Sequence, residues 1–146
     1  MTPFRFRLEK VLTWQRMQLE LEEIKFKQAS AAVLELDRAR AALENEARGT
    51  EFQVRDWNPL AGSDLAALDG FRQHAKNEKK KIAARRAETL RKLEAQKLAM
   101  LEARRRCQLL ERLKERRLEE WEAALARELE DLAADSHLAA LARRHA

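Results

Sequence analysis

Three histidines (His74, His137 and His145), one cysteine (Cys107) and many glutamates are among the side chains here able to bind a metal, attack an electrophile or move a proton. A metal site needs several such ligands converging on one point, and none of the histidines has a companion at ligand spacing. Cys107 follows Arg104-Arg105-Arg106. Those cations would lower a thiol pKa, but the cysteine also falls on an apolar helical periodicity, where it reads as a small core residue. The glutamates lie on helical faces without the cleft that paired-carboxylate catalysis requires. Three glycines cannot build a phosphate-cradling loop. The expectation is a protein that is not an enzyme and has no metal or cofactor.

The basic runs Lys79-Lys80-Lys81 and Arg104-Arg105-Arg106 raise a nucleic-acid reading. A DNA-reading zipper puts its basic helix ahead of a clean heptad repeat. Here the bases are interleaved with the apolar seam. Phosphate binding would be sequence-blind and salt-sensitive, and attraction to an anionic membrane surface equally unspecific. No specific nucleic-acid site is expected.

The elements that must carry these residues follow from composition. Ala and Leu supply 26 and 23 residues, whereas Val, Ile and Thr together supply nine. Strands need β-branched and aromatic side chains, so a sheet-based fold is excluded. The mixture of Ala, Glu, Lys, Leu and Arg is that of long helices and coiled coils. No apolar run is long enough for a transmembrane helix. The N-terminus lacks the apolar stretch and cleavage site of an export signal. With a lone cysteine, the cytoplasm is the expected compartment.

Helix breakers cluster: Gly49, Pro59, Gly62 and Gly70 share one window, and Pro3 is the only other Pro or Gly. Proline ends a helix at or before the preceding residue, and Gly49 reads as a C-terminal cap. Ser63-Asp64 offers a cap for a new start. The expected architecture is all-α: one coiled-coil domain over 1–146, with helices over about 3–48 and 64–143 joined by a loop over about 49–63. Helices of this length must bury an apolar stripe on a partner helix. The result is a stalk-like antiparallel two-helix hairpin with a C-terminal helical extension. Setting residues 48 and 64 opposite each other gives paired residue numbers totalling about 112. Phe4 would then lie near residue 108, and the second helix would overrun the first by roughly 35 residues, about 50 Å at 1.5 Å per residue.

The seam is visible. Leu12, Leu19, Phe26 and Val33 recur every seven residues, with Leu8, Ala29, Leu36 and Leu43 on the companion position and Gln15 and Glu22 interrupting it. Leu90, Leu93, Met100, Cys107, Leu110, Leu113, Trp121, Leu125 and Leu132 form the second stripe. Core packing is the first reading of all of them. Charge alternates along the chain. Residues 18–46 hold seven acids and four bases, whereas 76–92 hold eight bases and two acids, as an antiparallel pair would prefer. Residues 103–117 are again basic and 119–135 acidic.

The opening run Phe4-Arg5-Phe6-Arg7-Leu8-Glu9-Lys10-Val11-Leu12 resembles the start of the FliJ family, small components of the bacterial flagellar type III export apparatus. Leu110-Glu111-Arg112-Leu113-Lys114-Glu115-Arg116-Arg117, followed by Trp121-Glu122, is similar to the family's L-E-K-L-K-E-R segment. Glu128-Leu129-Glu130-Asp131-Leu132-Ala133 is similar to its ending, with Asp131-Leu132 in place of an L-D-E order. The resemblance spans essentially the whole chain.

It implies an antiparallel coiled coil similar to the central stalk of rotary ATPases. Such a protein promotes assembly and activity of the hexameric flagellar export ATPase, contacts the cytoplasmic domain of the export gate and binds export chaperones. It would work in motility, at the inner face of the cell membrane by the flagellar basal body. Carried onto this sequence, the ATPase-ring contacts would be Phe4, Arg5, Phe6, Arg7, Leu8, Val11 and Leu12, with Arg112, Lys114, Arg116 and Arg117 on the second helix. Leu36, Leu43, Phe71, Ala75 and Ile82 would face the export gate. The alternatives are the stalk protein of a virulence-type III secretion system, and a generic structural or nucleic-acid-associated coiled coil.

Overall fold

The computed structural model describes residues 2–56 and 61–146. It contains two helices, α1 (Glu9–Arg55) and α2 (Gly62–Arg144), and no strand among the described residues. The chain is therefore all-α, and its two long helices pack antiparallel, as the scarcity of β-branched residues requires. Residue contacts divide it into two units: Met1–Glu20 with Glu102–Ala146, and Leu21–Leu101.

The Leu21–Leu101 unit shows what sets the register. Its buried residues are Val33, Val54, Ala75 and Met100, and Phe26, Leu36, Leu43, Phe71 and Ile82 are half-buried along the same seam. Three ion pairs flank that seam: Arg86–Asp37 at 2.6 Å, Lys79–Glu44 at 3.9 Å and Arg72–Glu51 at 2.7 Å. They step by seven residues on each helix, and each pair of residue numbers totals 123. Every rung puts its acid on α1 and its base on α2. Each is partly exposed and contributes less than about 1 kcal/mol, but a slipped register loses all three together. Glu22, an interruption of the apolar row, is matched by another polar residue. Gln96 Nε2 donates to the Glu22 backbone carbonyl at 3.2 Å and to its carboxylate. A paired polar position of this kind fixes alignment between helices.

The observed register is not the one expected from the breakers, because α1 does not stop at Gly49. Glycine in a helix costs about 1 kcal/mol relative to alanine. Continuing to Arg55 buries Val54 to 7% exposure and adds the Glu51–Arg72 pair, which offsets that cost. Asn58-Pro59, ahead of which the first helix was expected to end, lies outside the described residues. At the start of α2, Asp64 acts from inside the first turn. Its carboxylate accepts a hydrogen bond from the Ala61 N–H at 3.1 Å, satisfying a backbone donor that the helix leaves unpaired. Ser63-Asp64 is therefore not the start itself; α2 begins at Gly62.

In the unit containing both termini, Leu12 is fully buried at 0% exposure, and Ala103 and Cys107 are buried with it. Leu8, Leu19, Leu110 and Leu113 are half-buried. Two ion pairs cross between the helices, Lys114–Glu9 at 2.9 Å and Arg16–Glu111 at 3.4 Å. Helix α1 begins at Glu9, not near Pro3. Helix α2 is continuous through Ala133 to Arg144.

Candidate functional site

The chain ahead of α1 packs on a helix. Thr2 to Phe6 have no regular secondary structure. Phe4, Phe6 and Leu8 are half-buried while Arg5 and Arg7 are exposed. That alternation is the signature of an extended chain with one face against a surface. The surface is α2. Trp121 Nε1 donates to the Thr2 carbonyl at 3.2 Å, and the Phe4 and Trp121 rings lie 6.1 Å apart with 56° between their planes. Tilted aromatic pairs at this separation are favourable beyond the area they bury. At the first residue of α1, Lys114 Nζ lies 3.0 Å from Glu9 Oε1 and 2.9 Å from Oε2. Oε2 is shielded from solvent without a well-directed hydrogen bond, but it has a cation against it.

Between segment and helix runs an open groove of about 950 Å³, lined by Thr2 to Leu8 and by Leu113, Arg117 and Trp121. Its floor is aromatic and aliphatic; Arg5, Arg7 and Arg117 supply three cations. A smaller groove of about 360 Å³ lies beside it, between Phe4, Arg5, Phe6, Glu9 and Lys114. Such a surface can hold an apolar side chain and pair with acids around it. It contains no nucleophile with an adjacent base. Among the described residues no group of three His, Cys, Asp or Glu could hold a metal ion, and no described helix is long and apolar enough to cross a membrane.

The expected ATPase-ring residues separate into three kinds. Phe4, Arg5, Phe6, Arg7 and Leu8 line the groove with Arg117, and Lys114 lines its neighbour. Val11, Arg112 and Arg116 are exposed outside it. Leu12 is wholly enclosed, so it packs the seam and presents nothing to a partner. The residues assigned to the export gate lie on the seam of the Leu21–Leu101 unit. Ala75 is buried to 5%, and Leu36, Leu43, Phe71 and Ile82 are half-buried. Leu36 also lines a shallow groove of about 450 Å³ with Arg85, Glu88 and Lys92. The apolar residues of that unit open to solvent are others, among them Ile24, Leu34, Phe52 and Leu98.

Sequence reasoning placed Phe4 near residue 108 and left Trp121 on a free overhang. In the structure Trp121 anchors the N-terminal segment, and the uncovered part of α2 starts after it. From there to Arg144 the helix runs about 35 Å at 1.5 Å per residue, less than the expected overhang. Thr2, Pro3, Leu113 and Trp121 complete the groove without having been singled out for it. The period-two pattern Phe-Arg-Phe-Arg-Leu was the signal that could have found it. Compared with known proteins, the chain matches no family model, no curated protein and no solved structure.

Proposed function

We propose that this chain is a FliJ-like component of flagellar protein export, which binds the hexameric export ATPase through the groove formed by its N-terminal segment and α2. One observation carries the reading. The two stretches that resemble the family, Phe4 to Leu12 and Leu110 to Arg117 with Trp121, are far apart in sequence and meet in the structure. Phe4 packs on Trp121, Glu9 pairs with Lys114, and Leu113 and Arg117 line the same groove as Arg5 and Arg7. Aromatic and arginine side chains at a concave surface are the usual anchors of protein interfaces.

In this reading the chain promotes assembly and activity of the ATPase ring and links it to the cytoplasmic domain of the export gate. It also serves export chaperones, and it works from the cytoplasmic face of the membrane at the basal body. Its action is by surface and not by catalysis, with no cofactor. The test is co-purification with the isolated export ATPase. The native chain should be retained. A variant carrying Arg5→Glu, Arg7→Glu and Arg117→Glu should be lost while keeping its helix content. Equal retention of both would refute the groove as the contact.

A further inference from the structure

We propose that two copies of this chain pair about a two-fold axis, the leucine stripe of each α2 extension lying in the N-terminal groove of the other. The stripe continues an interface the chain already uses. At about 100° per residue, Leu118, Trp121, Leu125, Leu129 and Leu132 fall within about 40° of one line. Trp121 lies against the N-terminal segment. Leu125 is half-buried, and Leu129 and Leu132 are 57% and 59% exposed. A contiguous apolar stripe open to water marks a contact surface.

Charge selects the occupant. Glu128, Asp131 and Asp135 all fall on one flank of the leucine stripe, and the groove offers Arg5, Arg7 and Arg117 around an apolar floor. Laying two extensions directly on each other would oppose acids to acids. Laying an extension in a groove opposes acids to arginines. Groove and stripe are neighbours on α2, the groove at Leu113 to Trp121 and the stripe at Leu125 to Leu132. An axis passing near residue 123 therefore satisfies both grooves at once. Such an isologous contact closes at two copies and does not propagate into fibres. Pairing would cover the same groove proposed to meet the ATPase, but it requires only a second copy, so either proposal can fail alone.

Sedimentation equilibrium of the full chain, with two charge-reversed variants, tests the pairing. One variant carries Arg5→Glu, Arg7→Glu and Arg117→Glu; the other carries Glu128→Lys, Asp131→Lys and Asp135→Lys. The native chain should approach twice its 17.0 kDa mass at about 100 µM in low salt. Its association should weaken roughly tenfold or more between about 50 mM and 500 mM salt. Each variant alone should stay at the single-chain mass, since its groove and stripe now carry like charge. An equimolar mixture should pair, because both contacts again join opposite charges. A native chain that remains single, a variant that pairs as the native chain does, or a mixture that stays unpaired would overturn the proposal.

Discussion

Replacing Trp121 with Ala should release the N-terminal segment while leaving both helices intact. Two interactions hold that segment at its outer end: the indole N–H bond to the Thr2 carbonyl and the tilted contact with Phe4. A partly exposed hydrogen bond contributes about 1 kcal/mol, and an aromatic pair about 1 kcal/mol beyond its buried area. Losing both, about 2 kcal/mol, raises the released population roughly 30-fold, since 1.4 kcal/mol is a factor of ten. Trypsin reads this at Arg5 and Arg7, because cleavage of a transiently opened segment follows the open population when closing is fast. Trp121→Phe keeps a ring against Phe4 and loses only the donor, so its cleavage should rise about fivefold. Helix content by circular dichroism should be unchanged in both. Equal cleavage rates in the native chain and Trp121→Ala would refute the argument that this contact holds the segment down.

Three further outcomes follow from the packing. Leu12→Ala removes a fully enclosed large side chain and should cost about 3 kcal/mol in urea unfolding, within the usual range for a buried leucine. Gly49→Ala should stabilise by about 0.5–1 kcal/mol, because residue 49 is helical and a Cβ there meets nothing within 4 Å. Asp37→Lys, Glu44→Lys and Glu51→Lys together should destabilise by about 2 kcal/mol at low salt. Adding Arg72→Glu, Lys79→Glu and Arg86→Glu should restore most of it, and a failure to restore would show that the ladder does not set the register.

The helical hairpin was legible in the sequence because its causes are compositional: few β-branched residues, heptad-spaced apolar rows and breakers gathered in one window. The register was not, for a geometric reason. The expected and observed pair totals differ by eleven residues, close to three full turns at 3.6 residues per turn. The same stripes face each other in either alignment, so apolar periodicity cannot choose. The choice lies with the acids at 37, 44 and 51 and the bases at 72, 79 and 86, a seven-residue spacing that the net charge of whole segments averages away. Gly49 misled for a related reason. Its local penalty is outweighed by contacts of Val54 and Glu51 that exist only once the partner helix is in place.

The candidate site was half legible. Phe4 to Leu8 stood out by resemblance, and they line the groove. Their conformation was missed because Pro3 suggested a helix start, although alternating aromatic and arginine residues describe an extended segment with one buried face. Leu12 and Ala75 belong to the same apolar rows as their neighbours, and a row alone does not say which member is fully enclosed. Trp121 was assigned to the overhang because the register was displaced, so one error in alignment carried into the reading of the site.

Under the proposal above, the chain acts on an export ATPase through the groove beside its N-terminal segment. Stimulation of purified export ATPase, titrated with the native chain and with Arg5→Glu, Arg7→Glu and Arg117→Glu combined, tests it most directly. Stimulation by the native chain, and at least a tenfold higher concentration needed by the variant, equivalent to about 1.4 kcal/mol of binding, is the predicted result. Loss of stimulation on changing Trp57, which lies between the two helices in the sequence, to Ala, with the arginine variant folded and fully active, would contradict it.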